Sequence, residues 1–255
     1  MNIYKEIETR TNGEIYIGVV GPVRTGKSTF IKRFMELMVL PAITDEHNRK
    51  RALDELPQSA AGKTVMTTEP KFIPKEAVEV LFEDGVHFKC RMIDCVGYMV
   101  QGAEGHEEDG RERLVKTPWF DYDIPFTKAA EIGTKKVIYD HSTVGIVVTC
   151  DDTVSELDRS AYIQPETQTI QELKSIGKPF IVILNTRKPS SPETIALADE
   201  LQQAYGVAVL PVNCDQLRKA DVVHIFEALL LDFPVTCVRF RIPKWVEALE
   251  LKDEI

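Results

Sequence analysis

Eight residues near the start of the chain have the types and spacing of a phosphate-binding loop. Residues 21–28 read GPVRTGKS and match the pattern G-x-x-x-x-G-K-[ST] at every fixed position. An apolar run precedes them and a helical run follows, so backbone N–H groups and the positive end of a helix dipole converge where a polyphosphate can sit. The predicted nucleotide contacts in this loop are Gly21, Arg24, Thr25, Gly26, Lys27, Ser28 and Thr29, with Lys27 on the outer phosphates and Ser28 on Mg²⁺.

A carboxylate suited to the same metal follows an apolar run further along the chain. Residues 90–97 read CRMIDCVG, in which Asp94 and Gly97 form the pattern D-x-x-G. Asp94 is expected to hold Mg²⁺ through water, and Gly97 to offer its N–H to the terminal phosphate. The alternative is an Asp that only caps a strand.

Three threonines between these two motifs are candidates for a contact with the metal and the terminal phosphate. Thr64, Thr67 and Thr68 lie where a first switch segment would place such a hydroxyl. We favour Thr67 and Thr68, because a pair ahead of Pro70 can present one hydroxyl inward while the other caps. Two threonines on a strand edge, with no role in chemistry, are the alternative.

The residues that would read the base depart from the guanine-specific pattern. Guanine-binding proteins with this loop carry N-K-x-D, whose Asp accepts two hydrogen bonds from the base, whereas residues 185–188 here read NTRK. Asn185 matches, but Lys188 stands in place of the Asp and cannot accept hydrogen bonds. Adenine is therefore predicted instead of guanine. The alternative is that a local insertion lets another acid, such as Glu193, serve.

The residue that usually orients the attacking water is also different. In many switch enzymes a Gln follows D-x-x-G, whereas Tyr98 has that place here. Hydrolysis is predicted to be slow, or to use the threonine pair, a residue of the segment 97–125 or a group from a partner molecule. Residues 49–51, RKR, are candidates for such a group, although a charge run is more often a solvated face.

Composition and charge exclude several classes of function. The formal net charge of -9 over 255 residues argues against a general nucleic-acid binder. Five cysteines, an odd number without C-x-x-C spacing, favour buried free thiols in a reducing cytosol. No apolar stretch approaches the roughly 20 residues that span a bilayer, and the polar start is not a signal peptide. A cytoplasmic protein without a transmembrane segment is expected.

Strand-like and helix-like patterns alternate over most of the chain. Strands are predicted at 15–20, 77–82, 86–94, 144–149, 180–185, 207–212 and 235–242, and helices at 27–40, 126–139, 166–176, 192–205 and 217–231. Residues 42–62 are predicted to be mobile, since charges dominate the helix that 45–56 could form, and 97–125 to be irregular. The alternation indicates an α/β fold, a mostly parallel sheet flanked by helices with one antiparallel hairpin strand.

Eight segments carry a family resemblance. They read GPVRTGKSTFIKRFMELMVLP, LDELPQSAAGKTVMTTEPKFIP, IDCVGY, KTPWF, IPFTKAAEIGTKKVI, HSTVGIVVT, ELKSIGKPFIVILN and FPV. Over nearly the whole chain the sequence is similar to the N-terminal nucleotide-binding domain of the bacterial stage IV sporulation protein A family. The resemblance implies a P-loop NTPase of the translation-factor GTPase-like class that has turned to ATP.

The same resemblance implies a function, partners and a location. It implies that ATP hydrolysis drives self-association into a polymer, the basement layer of the spore coat, at the forespore surface in the mother-cell cytosol. It also implies contacts with other coat proteins and with a small membrane-bound amphipathic protein, through later domains. Residues 1–234 are then the nucleotide-binding domain and residues 235–255 the start of a middle domain.

The family's functional positions carry over residue by residue. Its phosphate-loop lysine corresponds to Lys27, its metal-site aspartate to Asp94, and its sensor threonines to Thr67 and Thr68. We assign Mg²⁺ to Ser28, Asp94 and Thr68. The nucleotide contacts predicted outside the loop are Gly97 and Asn185. A GTP-binding switch and a non-hydrolysing nucleotide-binding interaction module are the alternative functions.

Overall fold

The computed structural model describes residues 14–57, 68–81, 87–103, 107–108 and 111–233. The predicted strand at 235–242, the hairpin turn near 83–85, Thr64 and Thr67 lie outside the described residues. The proposed domain boundary at residue 234 therefore stays a prediction.

The described residues form a regular succession of strands and helices. The strands are β1 Glu14–Val20, β2 Lys71–Leu81, β3 His87–Asp94, β4 Glu107–Glu108, β5 Arg111–Glu112, β6 Leu114–Thr117, β7 Phe120–Pro125, β8 Val144–Cys150, β9 Phe180–Asn185 and β10 Val209–Val212. The helices are α1 Lys27–Phe34, α2 Glu46–Asp54, α3 Phe126–Lys136, α4 Ser160–Ser175, α5 Pro192–Tyr205 and α6 Lys219–Leu231. Helix α1 continues through a π turn, Met35–Val39, and a 3₁₀ turn, Leu40–Ala42, and α3 continues through a π turn, Val137–His141.

A six-stranded sheet in the order β10-β9-β8-β1-β3-β2 organises these elements. Every neighbouring pair runs parallel except β2 and β3, which are antiparallel. Strands β8 and β9 are buried at every residue, as expected for parallel strands that are covered on both faces. The predicted α/β fold with a mostly parallel sheet and one antiparallel hairpin strand is confirmed.

Helices bury both faces of this sheet. On one face α1 packs beside α6, and the rings of Phe34 and Phe226 meet edge to face with centroids 6.0 Å apart. On the other face α4 and α5 cover the sheet, with Leu173 and Leu201 in the same apolar cluster as Val182. The two apolar clusters hold these helices against the sheet.

Helix α2 was not expected to be a fixed element. The segment was predicted to be mobile, yet Glu46–Asp54 forms a helix, and the Asp45 side chain caps it by accepting a 2.7 Å hydrogen bond from the Asn48 N–H. Ala52 is its buried residue. The prediction was wrong because a surface helix needs only a narrow apolar stripe, which the surrounding charges concealed.

Helix α4 begins at Ser160, whereas the sequence placed its start at residue 166. The side chain of Asp158 accepts hydrogen bonds from the backbone N–H and the hydroxyl of Ser160, which satisfies part of the helix start. Pro165 lies inside the helix. Because Pro cannot donate a hydrogen bond and usually ends a helix, the sequence pattern appeared to begin after it.

Two short hairpins occupy part of the segment predicted to be irregular. Strands β4 and β5 pair, and β6 pairs with β7, which places Pro118 and Trp119 in the tight turn between them. Each hairpin has only two strands, and a two-stranded hairpin is stable only when it packs against other elements. Their sequences therefore lack the long alternation that identifies strands of a larger sheet.

The cysteines among the described residues agree with the prediction of buried free thiols. Cys90, Cys95, Cys150 and Cys214 are buried with free thiols. Burial raises the pKa of Cys90 to about 12 and that of Cys95 to about 11, so these thiols are neutral at ordinary pH. Among the helices in the described part of the chain, none has the length and apolar character needed to cross a membrane.

We predict that Phe34→Ala lowers the free energy of unfolding by about 3–5 kcal/mol, because it opens a cavity between α1 and α6. Leu231→Ala is the matched control on α6: Leu231 is 88% exposed, so its loss should change stability by no more than about 0.5 kcal/mol. Urea denaturation followed by circular dichroism measures both. Equal losses from the two variants would contradict this packing.

Candidate functional site

The carboxyl ends of four neighbouring parallel strands meet at one edge of the sheet. Strands β1, β3, β8 and β9 end there at Val20, Asp94, Cys150 and Asn185. In open parallel sheets, ligands bind in the crevice outside these ends. The sheet order therefore brings the phosphate loop, the D-x-x-G motif and Asn185 together, although they are far apart in sequence.

The phosphate loop connects β1 to α1 through backbone of unusual conformation. Gly21, Arg24 and Gly26 have φ angles of 129°, 62° and 99°. Gly26 begins α1, and its carbonyl accepts a 2.9 Å hydrogen bond from the Phe30 N–H. Arg24 is exposed and Thr29 is half-buried. The loop thus has the left-handed turns that the glycine-rich pattern predicted.

Two side chains of the loop are hydrogen-bonded to the backbone carbonyl of Pro22. It accepts hydrogen bonds from Lys27 Nζ at 2.6 Å and from the Thr25 hydroxyl at 3.0 Å. Lys27 is 5% exposed and Thr25 is fully buried. Lys27 therefore lies folded within the loop, at the place where phosphate oxygens would compete with the carbonyl for its ammonium group.

Gly97 lies directly against this loop. Its φ of 95° belongs to the left-handed region, and a Cβ at this position would overlap the Gly21 carbonyl oxygen and lie 2.7 Å from Lys27 Nζ. The adjacent segment is held in place by a 2.9 Å hydrogen bond from the Val23 N–H to the Tyr98 carbonyl. Only glycine fits between the two motifs.

Ser28 and Asp94 form the pair that the sequence assigned to Mg²⁺. The Ser28 hydroxyl donates to Asp94 Oδ2 at 2.8 Å. The other oxygen, Asp94 Oδ1, is buried and has no hydrogen-bond partner within the described structure. Buried polar atoms are normally satisfied, so an unpaired carboxylate oxygen beside a serine hydroxyl is a feature that an ion would complete.

Burial shifts the two charged groups of the site in opposite directions. Loss of solvation lowers the pKa of Lys27, while nearby acidic groups, among them Asp94, raise it in part. Loss of solvation likewise raises the pKa of Asp94, opposed by the Ser28 hydrogen bond and by Lys27. A polyphosphate beside Lys27 and a cation beside Asp94 would favour the charged forms of both groups.

Asn185 joins three parts of the site through its amide. Its Nδ2 donates to the Thr25 carbonyl at 2.9 Å, and its Oδ1 accepts from the Cys214 N–H at 3.1 Å. The side chain therefore ties the phosphate loop to the segment that follows β10. Its predicted contact with the nucleotide stays a prediction, since both ends of the amide are engaged with backbone.

Two residues that follow Asn185, Lys188 and Glu193, bear on the prediction of which base binds. Lys188 is exposed, and its backbone N–H donates to the Thr186 hydroxyl at 3.1 Å. Glu193 is exposed in the first turn of α5, where hydrogen bonds at the helix start lower the pKa of its carboxylate. The alternative that Glu193 replaces the missing acceptor stays a prediction.

Thr68 is buried and lies just ahead of β2. Lys71 in β2 is the Cα partner of Asp94 in the antiparallel pairing, so Thr68, three residues earlier, is within a short stretch of chain from the metal-site candidate. Its carbonyl packs against Gly133 of α3. Its contact with metal or phosphate stays a prediction, and the neighbouring Thr67 lies outside the described residues.

Tyr98 does not point into the site as a water-orienting residue would. The side chain is 4% exposed, and its hydroxyl donates to the carboxylate of Glu172 on α4. Burial raises its pKa, so the phenol stays protonated. The sequence offered no indication of Glu172, because the two residues are 74 positions apart.

Gly133 is a second residue whose role the sequence did not reveal. The sequence contained one sign of it, a glycine inside an otherwise helical pattern, which often has a packing reason.

Within the described residues, no group of three or more His, Cys, Asp or Glu side chains could hold a metal ion. A metal at Asp94 would therefore need further ligands from hydroxyl groups, water and the nucleotide, which are oxygen ligands of the kind that Mg²⁺ takes.

Comparison with known proteins identifies relatives over nearly the whole chain. Stage IV sporulation protein A of Clostridioides difficile (strain 630) is 57% identical over 249 residues, which are 98% of this chain and 51% of that protein. The Bacillus subtilis (strain 168) protein of the same name is 51% identical over 250 residues, again 98% and 51% of the two chains. The chain spans about half the length of the curated relatives it matches.

Solved structures add little to these sequence matches. An SsGBP variant aligns with a TM-score of 0.47 and 15% identity over 88% of this chain and 57% of its own, a likeness too weak to carry an argument.

The family model for stage IV sporulation protein A, ATPase domain, matches residues 1–234. The chain therefore belongs to the stage IV sporulation protein A family, and residues 1–234 match its ATPase domain.

Proposed function

We propose that this domain binds ATP with Mg²⁺ at residues 21–28 and Asp94, and that hydrolysis of the ATP licenses self-assembly of the whole protein. The observation that carries the proposal is the Ser28–Asp94 pair with its unpaired Asp94 Oδ1, beside the buried Lys27. A loop that only shaped a turn would have no reason to bury a lysine and an incompletely bonded carboxylate together.

Each residue of the pair and the loop has a distinct part in this proposal. Lys27 exchanges its bond with the Pro22 carbonyl for the outer phosphates, and the backbone N–H groups of the loop bind the remaining oxygens. Gly97 lies against the same loop, and its N–H is the proposed donor to the terminal phosphate. Asn185 holds the loop in the conformation that presents these donors.

Ser28 and Asp94 fit Mg²⁺, with Thr68 as the proposed further contact. Mg²⁺ keeps several waters and takes few protein ligands, which agrees with a hydroxyl and one carboxylate oxygen. When bound, the ion neutralises charge on the phosphate oxygens. Asp94 must be ionised for this role, and the Ser28 hydrogen bond and Lys27 both favour that form.

The base proposed for this site is adenine. Lys188 is exposed, and it stands at the sequence position where guanine-binding proteins carry a hydrogen-bond acceptor. A guanine in this position would leave its N1–H and 2-amino group without the acceptor that specificity requires.

Slow turnover is part of the proposal. Because Tyr98 is anchored on Glu172, the water-orienting group must come from Thr67, Thr68, another residue of the 97–125 segment or a partner molecule. The same observation favours a second candidate, a nucleotide-binding interaction module that does not hydrolyse. Phosphate release distinguishes the two.

Assembly, coat formation and location are proposed for the whole protein of which this domain is a part. We propose that terminal-phosphate chemistry changes the conformation of residues 42–70 and 97–125 and so exposes or completes a self-association surface. The proposed setting is the basement layer of the spore coat in the mother-cell cytosol. Contacts with coat proteins and with a small amphipathic membrane protein are proposed for the later domains.

The first prediction concerns Lys27. Lys27→Ala should abolish ATP binding and reduce phosphate release to background, because the loop loses its phosphate-binding cation. Lys32→Ala, on the same helix but outside the site, is the matched control and should keep both activities. Malachite green detection of phosphate measures turnover; a Lys27→Ala variant as active as wild type would remove the site from this loop. A wild-type protein that binds ATP but releases no phosphate over hours would favour the interaction module.

The second prediction concerns the base and the metal. Titration calorimetry should show ATP binding at least about tenfold more tightly than GTP in the presence of Mg²⁺, since guanine finds no acceptor at Lys188. Chelation of Mg²⁺ should weaken ATP binding, because Asp94 then repels the phosphates. Equal affinities for the two nucleotides would instead support a GTP-binding switch.

The third prediction concerns assembly. Light scattering of a protein with the full length of its relatives should rise with ATP and Mg²⁺ and stay low with a non-hydrolysable ATP analogue, since hydrolysis is the proposed trigger. Lys27→Ala in the same protein should also stay low. Scattering that rises equally with the analogue would separate assembly from hydrolysis.

A further inference from the structure

Gly133 provides a notch on the surface of α3. It lies in the interior of Phe126–Lys136, where Ala would be the more favourable helix former. A Cβ on Gly133 would overlap the Thr68 carbonyl oxygen and lie 3.5 Å from Cη2 of Trp119. The absence of a side chain at this position is what allows Thr68, three residues before β2, to lie against the helix.

The next residue of α3 connects this notch to the metal-site strand. Thr134 is fully buried, and its hydroxyl donates to the Ala130 carbonyl at 2.8 Å. The same hydroxyl contacts the thiol of Cys95, which follows Asp94 directly. One turn of α3 therefore touches Thr68 on one side and the end of β3 on the other.

Trp119 closes the notch from the β6–β7 hairpin, and the hairpin is fixed to α3 at both ends. Near the start of the helix, the Phe126 N–H donates to the Arg113 carbonyl at 2.8 Å, and the Arg113 guanidinium lies 4.4 Å from the centre of the Phe126 ring. Near its end, Lys136 Nζ lies 5.6 Å from the centre of the Trp119 ring. These contacts hold the indole beside Gly133.

We propose that Gly133 and Trp119 form a seat that positions Thr68 for the terminal-phosphate chemistry of this domain. The proposal rests on the proposed function, in which Thr68 contacts the metal and the phosphate. Gly133 and Trp119 are positioning residues: Gly133 lies against the Thr68 carbonyl, and Trp119 lies beside Gly133. They set the height of the Thr68 peptide above α3, and with it the direction of the hydroxyl.

A small displacement at the seat is sufficient to affect turnover. A methyl group at Gly133 cannot coexist with the Thr68 carbonyl in its present place, so the chain must move away from the helix. Misplacing a reacting group by about 1 Å can reduce turnover by about 100-fold. The atoms nearest to a Cβ at Gly133 belong to Thr68 and Trp119 and not to Lys27, Ser28 or Asp94, so nucleotide affinity should be preserved.

The test compares Gly133→Ala, Trp119→Ala and the control Tyr122→Ala in the whole protein. Tyr122 lies on the same hairpin, is 62% exposed and has its ring against Phe120, so its removal leaves the seat intact. We expect Gly133→Ala to lower kcat about 10- to 100-fold while ATP affinity stays within about twofold of wild type. Trp119→Ala should lower kcat in the same direction, and Tyr122→Ala should not.

Thermal melts separate positioning from general damage. Ala at position 133 gains about 1 kcal/mol of helix stability. This gain offsets part of the cost of displacing the Thr68 peptide, so the variant should melt close to wild type although its turnover is reduced. A merely structural role would lower the melting temperature, affinity and kcat together, and that result in both seat variants would overturn the proposal. So would a Gly133→Ala protein with wild-type kcat. If that variant does not fold, Trp119→Ala against Tyr122→Ala decides by the same criteria.

A reference variant distinguishes this proposal from the proposed function. Thr67→Ala with Thr68→Ala should bind ATP and lose turnover. If it does while both seat variants remain fully active, only the seat is wrong. If the double variant keeps the wild-type rate, or the wild-type protein has no ATPase activity, the sensor role of Thr68 or the proposed function fails, and the seat fails with it.

Discussion

The burial of Lys27 and Asp94 at one edge of the sheet is the constraint on which the rest of the site depends. Removing either charge from water costs several kcal/mol unless other groups compensate. Compensation is possible because β1 lies beside β3 in parallel register, with Val19 opposite Asp94, so the loop after one strand meets the carboxylate at the end of the other. The Pro22 carbonyl accepts a hydrogen bond from Lys27, and the Ser28 hydroxyl donates one to Asp94 Oδ2. The second carboxylate oxygen, Asp94 Oδ1, has no hydrogen-bond partner among the described residues.

Helix α3 contacts several of the segments at this edge of the sheet. Its buried face touches Cys95 through Thr134 and the Thr68 carbonyl through Gly133, while the β6–β7 hairpin is fastened along its length. Two segments that the sequence shows only as polar connections are therefore held by one helix. The Thr68 carbonyl and the indole of Trp119 both lie beside Gly133, so the segment before β2 and the β6–β7 hairpin meet at the same point of α3.

The sequence predicted the parts of this structure that local rules determine. The phosphate loop was identifiable because its backbone requires glycine at fixed spacing, and strands β8 and β9 because strands buried on both faces must be continuously apolar. Helix α2 and the two hairpins were not predicted, because their stability comes from a cap and from packing on other elements. The Tyr98–Glu172 bond joins residues far apart in sequence, so no local pattern could indicate it.

Tyr98 shows how a switch-type site is altered at a single position. Its hydroxyl binds Glu172, whose carboxylate also accepts from Gln168 and lies 3.8 Å from Lys135 Nζ. These bonds fasten the residue after Gly97 to α3 and α4. A glutamine there would be free to orient water, whereas a buried tyrosine fixes the backbone beside the phosphate loop. The position thus holds Gly97 against the phosphate loop, and under the proposed function it does so in place of a water-orienting side chain.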